Sequence, residues 1–193
     1  MKELVIASNN SGKITEIKSI IEGIQLLSLK DIGFVDEVAE PFHTFHENAF
    51  TKASTIYNFC GKNVFADDSG LCVPALQLEP GVQSAYYGGL PRSDAKNNQR
   101  LLEELKIHTD RSAFYSCVIC LIWERETYYF EGTCEGAIAH EASGTKGFGY
   151  DPLFIPNGYE ESFGVLPLTI KNTLSHRGKA VRKMVDFLKD KID

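Results

Sequence analysis

The sequence predicts an α/β fold built on a mixed sheet, and three observations predict it. Short apolar runs alternate with helical repeats through the first half, as in "ELVIA" followed by "ITEIKSII". Two long strand-like runs, "SAFYSCVICLIW" and "TYYFEGTCEGAIAH", then follow each other with "ERE" near the turn. They read as a hairpin, which adds antiparallel pairing to the sheet. Hydrophobic residues make up 43% of the 193, enough for a substantial core.

Each element has its own signal. "ELVIA" reads as a buried first strand. The helix after it carries Ile14, Ile17 and Ile21 on one face, with Gly23 as its stop. "IQLLSL" reads as a second strand, and a loop from Asp31 to His43 holds acidic residues and Pro41. Thr44 followed by Glu47 is a capping box. The helix it opens buries Ala49, Ala53, Ile56 and Cys60 and ends at Gly61. Lys52 lies beside that apolar stripe, either snorkelling from its edge or directing its ammonium into a cleft.

"NVFADDSGLCV" reads as strand, turn, strand, and "PGVQSAYYGG" as an irregular loop. "SDAKNNQRLLEELK" is a helix capped by Ser93 or Asp94. "GTKGFGYDP" is a glycine-rich loop. "SHRGKAVRKMVDFLKDKI" is a final helix capped by Ser175, with Ala180, Met184 and Leu188 facing inward. No repeat, low-complexity tract or linker interrupts the chain, so residues 1–193 read as a single domain.

The formal net charge of -6 and pI near 5.4 argue against a general nucleic-acid binder. A nucleotide remains possible, since a few local cations suffice. No run is apolar and long enough to span a membrane, and "MKELVIASNN" is too short for a signal peptide, so a cytoplasmic location is expected. The five cysteines fit reduced thiols. Cys117 and Cys120 form a C-x-x-C, but three-apart residues on a strand face opposite ways, which favours core cysteines over a zinc or redox pair. His43 and His46 lack a second ligand pair, so no zinc site is expected.

Four stretches carry candidate chemistry. "IASNNSGK", Ile6 to Lys13, places a lysine in the first turn of a helix, at the positive end of its dipole. It is not a P-loop: the first glycine is missing, and Ile14 stands where a Ser or Thr would hold magnesium. A strand end, side-chain amides and a helix N-terminus still make an anion site. "ADDSG" sets Asp67 and Asp68 side by side. One carboxylate can hold a metal or orient water, or the run is an ordinary Asx turn. "SHRGK" puts His176 and Arg177 at a second basic helix start, and a shared anionic ligand explains both starts better than chance. In "GTKGFGYDP", Phe148 or Tyr150 can stack on a base, or the run is a turn with core aromatics.

Six motifs in order, "SNNSGK", "ENAFTKA", "ADDSGL", "PGVQSAYY", "GFGYDPLF" and "KNTLSHRGKA", resemble the inosine/xanthosine triphosphate pyrophosphatases that clear deaminated purine nucleotides. The resemblance runs from about Leu4 to about Leu188. It implies an elongated, two-lobed mixed-sheet fold with a central cleft, a homodimer, and magnesium-dependent hydrolysis of ITP, dITP or XTP to the monophosphate and pyrophosphate. It implies that Ser8, Asn9, Asn10, Ser11, Gly12 and Lys13 cradle the triphosphate, with Lys52 as a second phosphate lysine. Asp68 would be proton acceptor, metal ligand or both, with Glu40 as a metal-binding acid and Ser69 touching substrate. Phe148, Gly149, Tyr150 and Asp151 would hold the base, and Lys171, His176 and Arg177 would complete the base and phosphate pocket. Two positions depart from the family pattern: Ser162 to Val165 lacks an acid, and Tyr86 replaces an arginine. The rival expectations are a Maf-like pyrophosphatase for other modified nucleotides and a nucleotide-binding regulator without turnover.

Overall fold

The computed structural model describes residues 3–192. The elements are β1 (Glu3–Ile6), α1 (Ser11–Lys18), β2 (Gln25–Leu27), α2 (Phe45–Cys60), β3 (Val64–Cys72), α3 (Asp94–Glu104), β4 (Ser112–Trp123), β5 (Glu126–Ile138), β6 (Phe154–Pro156), α4 (Leu168–Leu174) and α5 (His176–Ile192). The sheet runs β2-β1-β3-β4-β5-β6. β1 pairs in parallel with β2 and β3, and β6 pairs antiparallel with β5. The expected α/β fold with a mixed sheet is therefore what the chain adopts. Only Glu124 and Arg125 separate β4 from β5, and both have positive φ, the backbone that a tight two-residue hairpin turn requires.

The chain forms two compact units. Among the described residues, the first comprises 3–68, 117–132 and 177–192, and the second 69–116 and 133–176. Strand alternation organises the first unit. Leu4, Ile6, Phe65, Cys117, Ile119 and Leu121 pack with Ile17 and Ile21 of α1 and with Ala180, Met184 and Leu188 of α5. Their neighbours Val5, Val64, Ala66, Val118, Cys120 and Ile122 pack with Ala49, Ala53 and Ile56 of α2. Cys117 and Cys120 thus lie in different cores, as the strand reading expects, and burial pushes both thiols up to about 12. In the second unit, Leu101 and Leu105 pack with Leu71, Tyr115, Phe154 and Phe163.

The helix ends follow local chemistry. Thr44 Oγ1 accepts the Glu47 N–H at 3.2 Å and donates to Glu47 Oε2 at 2.6 Å. The box closes through the threonine hydroxyl. Gly61 ends α2 in the left-handed region, at φ 64°. Ser93, rather than Asp94, caps α3.

The structure departs from expectation at several points. Val64–Cys72 is one nine-residue strand, without a turn at "DSG". Gly70 is there for close approach: a Cβ would stand 2.1 Å from the Gly81 carbonyl oxygen. β2 is only three residues long. α1 is capped by Ser19, before Gly23. Cys60 is half-buried, where the stripe predicts burial. β6 and α4 carry no clear sequence signal: β6 has three residues, and α4 follows Pro167 without a side-chain cap. Among the described residues, no helix is long and apolar enough to cross a membrane.

Thr44→Ala removes both contacts of the cap and should lower stability by about 1 kcal/mol. A urea melt followed by far-UV circular dichroism measures this, with an unchanged slope and a lower midpoint expected.

Candidate active site

In the first unit, the loop after β1 folds on its own side chains. Asn10 caps α1, its Oδ1 accepting the Lys13 N–H at 3.1 Å, and its own N–H donates to Ser8 Oγ at 3.2 Å. Asn9 and Ser11 are exposed, and Gly12 is half-buried. The first turn of α1 holds no acid, but Lys13 Nζ lies 2.9 Å from Asp67 Oδ2. Arg177 Nε reaches the same oxygen at 3.3 Å, while its Nη1 lies 2.5 Å from Glu16 Oε2. The two basic helix starts do share an anion, but in this structure it is a protein carboxylate. Arg177, expected in a ligand pocket, is only 2% exposed and sits between two acids.

The charge states follow from this packing. Burial alone would raise the Asp67 pKa. The cations of Lys13, Arg177 and Lys52 outweigh it and hold the carboxyl well below the usual range. Burial alone would lower the Arg177 pKa, and Asp67 and Glu16 raise it instead.

Asp68, one residue on, turns to the other face of β3 and meets α2. Lys52 Nζ lies 2.9 Å from Glu40 Oε2 and 3.4 Å from Asp68 Oδ1. Lys52 is buried, and its ammonium is turned to two carboxylates rather than along the edge of the apolar stripe. Asn48, one helical turn earlier, donates from Nδ2 to Asp68 Oδ2 at 3.2 Å. Burial pushes the Asp68 carboxyl up to about 6, and the adjacent Glu40 adds to this against the pull of Lys52 and Lys13. Glu40 is half in solvent; burial opposes its ionisation, but Lys52 holds its pKa down. Counted formally, the cluster sets three cations (Lys13, Lys52, Arg177) against four carboxylates (Glu16, Glu40, Asp67, Asp68).

Among the described residues, no group of three or more His, Cys, Asp or Glu side chains is arranged to hold a metal. Glu40 and Asp68 nevertheless fit magnesium. They are hard oxygen donors that flank one ammonium, with Lys52 Nζ 2.9 Å from Glu40 Oε2 and 3.4 Å from Asp68 Oδ1. Magnesium commonly takes one or two carboxylates and fills the rest with water and substrate phosphate.

In the second unit, the glycine-rich loop is pinned from several sides. Asp151 Oδ2 accepts the Phe148 N–H at 2.8 Å and the Lys171 ammonium at 2.5 Å, with both charges buried. A Cβ on Gly147 would meet that oxygen at 2.0 Å. α3 holds both peptide groups of Gly149: Asp94 Oδ2 accepts its N–H at 2.7 Å, and Asn98 Nδ2 donates to its C=O at 3.0 Å. The Lys171 ammonium lies 4.7 Å from the Phe148 ring centre. Of the two candidate stacking rings, Phe148 is half-buried, whereas Tyr150 is in the core with its hydroxyl donating to the Ser84 carbonyl at 2.8 Å. His176 stacks on Tyr115, centres 4.6 Å apart and planes at 8°. Ser69 is half-buried on β3, and Tyr86 is exposed.

The expected residues thus fall into a charged group (Lys13, Glu40, Lys52, Asp68, Arg177) and a loop group (Phe148, Gly149, Tyr150, Asp151, Lys171), with His176 placed apart against Tyr115. The sequence pairs Asp67 with Asp68 without giving it a separate role and offers Asp94 only as a helix cap, while Glu16, Asn48 and Asn98 carry no sequence expectation; these five are the additional site residues. Two of these had a readable signal. Strand alternation implies a separate partner for Asp67, and Asn48 precedes Lys52 by four on one helix face.

A profile of the Ham1 family matches residues 4–187. A dITP/XTP pyrophosphatase of Christiangramia forsetii is 46% identical over 96% of this chain and 98% of its own. One from Bacillus licheniformis is 44% identical over 97% and 98%. Among solved structures, the Ham1 protein of Staphylococcus aureus superposes with a TM-score of 0.90 at 40% identity, covering 98% of this chain and 100% of that one. A HAM1 protein from Coxiella burnetii gives 0.91 at 36%, with the same coverage. The chain belongs to the Ham1 family, and the resemblance drawn from its six motifs is borne out.

Asp67→Asn leaves Lys13 and Arg177 without their shared counter-charge and should cost about 3–5 kcal/mol of stability. Equilibrium unfolding of the variant checks this; a loss below about 1 kcal/mol would mean that solvent already screens the cluster.

Proposed function

We propose that the protein is a nucleoside triphosphate pyrophosphatase that hydrolyses deaminated purine nucleotides, ITP, dITP and XTP, to the monophosphate and pyrophosphate. The observation that carries this is Asp68, a buried carboxylate with raised pKa set against Lys52 and Glu40. It stands in a chain 46% identical to a dITP/XTP pyrophosphatase over nearly its whole length. A nucleotide-binding regulator would need the lysines but not this positioned base, and nothing favours a Maf-like substrate.

Lys13 and Lys52 bind the triphosphate, with the residue 8–12 loop and the N-terminus of α1 around it. Carboxylates stand beside both lysines, and a divalent cation in the substrate complex would offset their charge toward the phosphates. Glu40 and Asp68 would hold magnesium, which when bound supplies charge neutralisation for the phosphates. Asp68 accepts a proton from the attacking water. The oxygen bonds to the α-phosphorus as the bond to the bridging oxygen breaks, and pyrophosphate leaves in line. Ser69, next on β3, touches the substrate.

For the base, we assign Phe148 as the stacking face, with Gly149, Tyr150, Asp151 and Lys171 shaping the loop that presents it. A 6-oxo purine needs a donor, where adenine's amino group would be mismatched. Arg177, whose Nε and Nη1 meet carboxylates, or His176 would supply that donor. A homodimer and a cytoplasmic location belong to the same reading.

A pyrophosphate-release assay across ITP, dITP, XTP, GTP and ATP, with and without chelator, tests the proposal. Turnover of ITP and XTP well above ATP is expected, lost on chelation of magnesium. Equal rates for ITP and ATP would remove the donor account. Asp68→Asn should lower kcat by about 10²–10⁴ with the fold intact; near-normal turnover would take Asp68 out of the reaction.

A further inference from the structure

Asn48 is 1% exposed, yet it is polar and lies on the core-facing side of α2. A buried amide must find its partners or destabilise the fold. Here it has three. Oδ1 accepts the Phe42 N–H at 3.0 Å, and Nδ2 donates to the Phe42 C=O at 3.1 Å and to Asp68 Oδ2 at 3.2 Å. Both amide hydrogens and the amide oxygen are thus used. The orientation of the amide is fixed by this set: turned over, its oxygen would face a carbonyl and a carboxylate.

Each contact has a positional effect. Phe42 is held through both of its backbone groups, as a strand neighbour would hold it. Pro41, with its restricted φ, is all that separates Phe42 from Glu40. The clamp therefore fixes the chain from which Glu40 reaches Lys52. At the other end, the bond to Asp68 Oδ2 sets the carboxylate's rotation and leaves Oδ1 toward Lys52. One side chain ties together the backbone beside Glu40 and the carboxylate of Asp68.

We infer that Asn48 is a positioning residue, which holds Asp68 and the Glu40 loop in one arrangement and so sets both metal affinity and the rate of the chemical step. This rests on the roles given above to Asp68 and Glu40. A purely structural role for Asn48 would instead lower stability and leave the kinetics of the folded enzyme alone.

The test uses Asn48→Ala, Asn48→Asp and Asp68→Asn in the full chain. Asn48→Asp keeps the volume and the acceptor for the Phe42 N–H but loses both donors and adds a charge beside Asp68, whereas Asn48→Ala removes the contacts without adding charge, so an effect shared by both folded variants reports lost position. Three readouts are needed: thermal unfolding, kcat and KM for ITP, and Mn²⁺ affinity without nucleotide by electron paramagnetic resonance. In either folded Asn48 variant, a 10- to 100-fold loss of Mn²⁺ affinity is expected. The loss of kcat should be on that scale too, with KM changed less than about threefold. Adding Asn48→Ala to Asp68→Asn should then lower kcat by less than Asn48→Ala does in the parent chain, because part of its effect acts through Asp68. Unchanged kcat and Mn²⁺ affinity in folded Asn48→Asp would overturn the inference, as would full additivity with Asp68→Asn. Normal turnover in Asp68→Asn alone would overturn the underlying assignment of Asp68 instead.

Discussion

Asp67 is the charge on which the first unit's site depends. It is fully buried and ionised, a state that costs several kcal/mol unless opposite charges surround it. Lys13 and Arg177 do so, and Glu16 completes an alternating row of signs. The row joins three elements: β3 supplies Asp67, α1 supplies Lys13 and Glu16, and α5 supplies Arg177. A basic residue near a helix start is unfavourable in isolation. Here a strand carboxylate answers two of them at once, so the order of α1 and α5 around β3 is specified by charge as well as by apolar packing.

The next residue has the opposite fate. Asp67 and Asp68 are chemically identical neighbours on one strand, so alternation sends them to different surroundings. Two cations hold Asp67 ionised and inert. Asp68 meets one lysine, a second carboxylate and an amide, and its pKa rises to about 6. Environments that push two like groups apart in this way divide structural from reactive work. The departure from the expected turn at "DSG" matters here: only a continuous strand gives adjacent carboxylates opposite directions.

Much of the fold was legible because its signals are local. Thr44 and Glu47, Gly61, Ser93 and the alternation through Cys117 to Cys120 each act within a few residues. β6 and α4 were not, since a three-residue strand and an uncapped seven-residue helix exist through their tertiary neighbours. The site divides similarly. Lys13, Lys52 and Asp68 stand out by type and place, and the six motifs supplied the family. Glu16, Asp94 and Asn98 could not be foreseen: their partners, Arg177 and Gly149, lie 161, 55 and 51 residues away. Arg177 stands out in the sequence as a basic helix start, and the distance of Asp67 and Glu16 along the chain hides their pairing with it.

The ion pairs of Lys13 and Lys52 have a consequence for recognition. A free lysine side chain loses up to about 2 kcal/mol of rotamer entropy when it is fixed. In this chain Asp67, Glu40 and Asp68 restrain both ammonium groups as the protein folds. On the proposed reading, an arriving triphosphate would meet cations already in place and need not freeze them. It would have to share them with carboxylates, which would weaken its hold and favour frequent exchange over long residence.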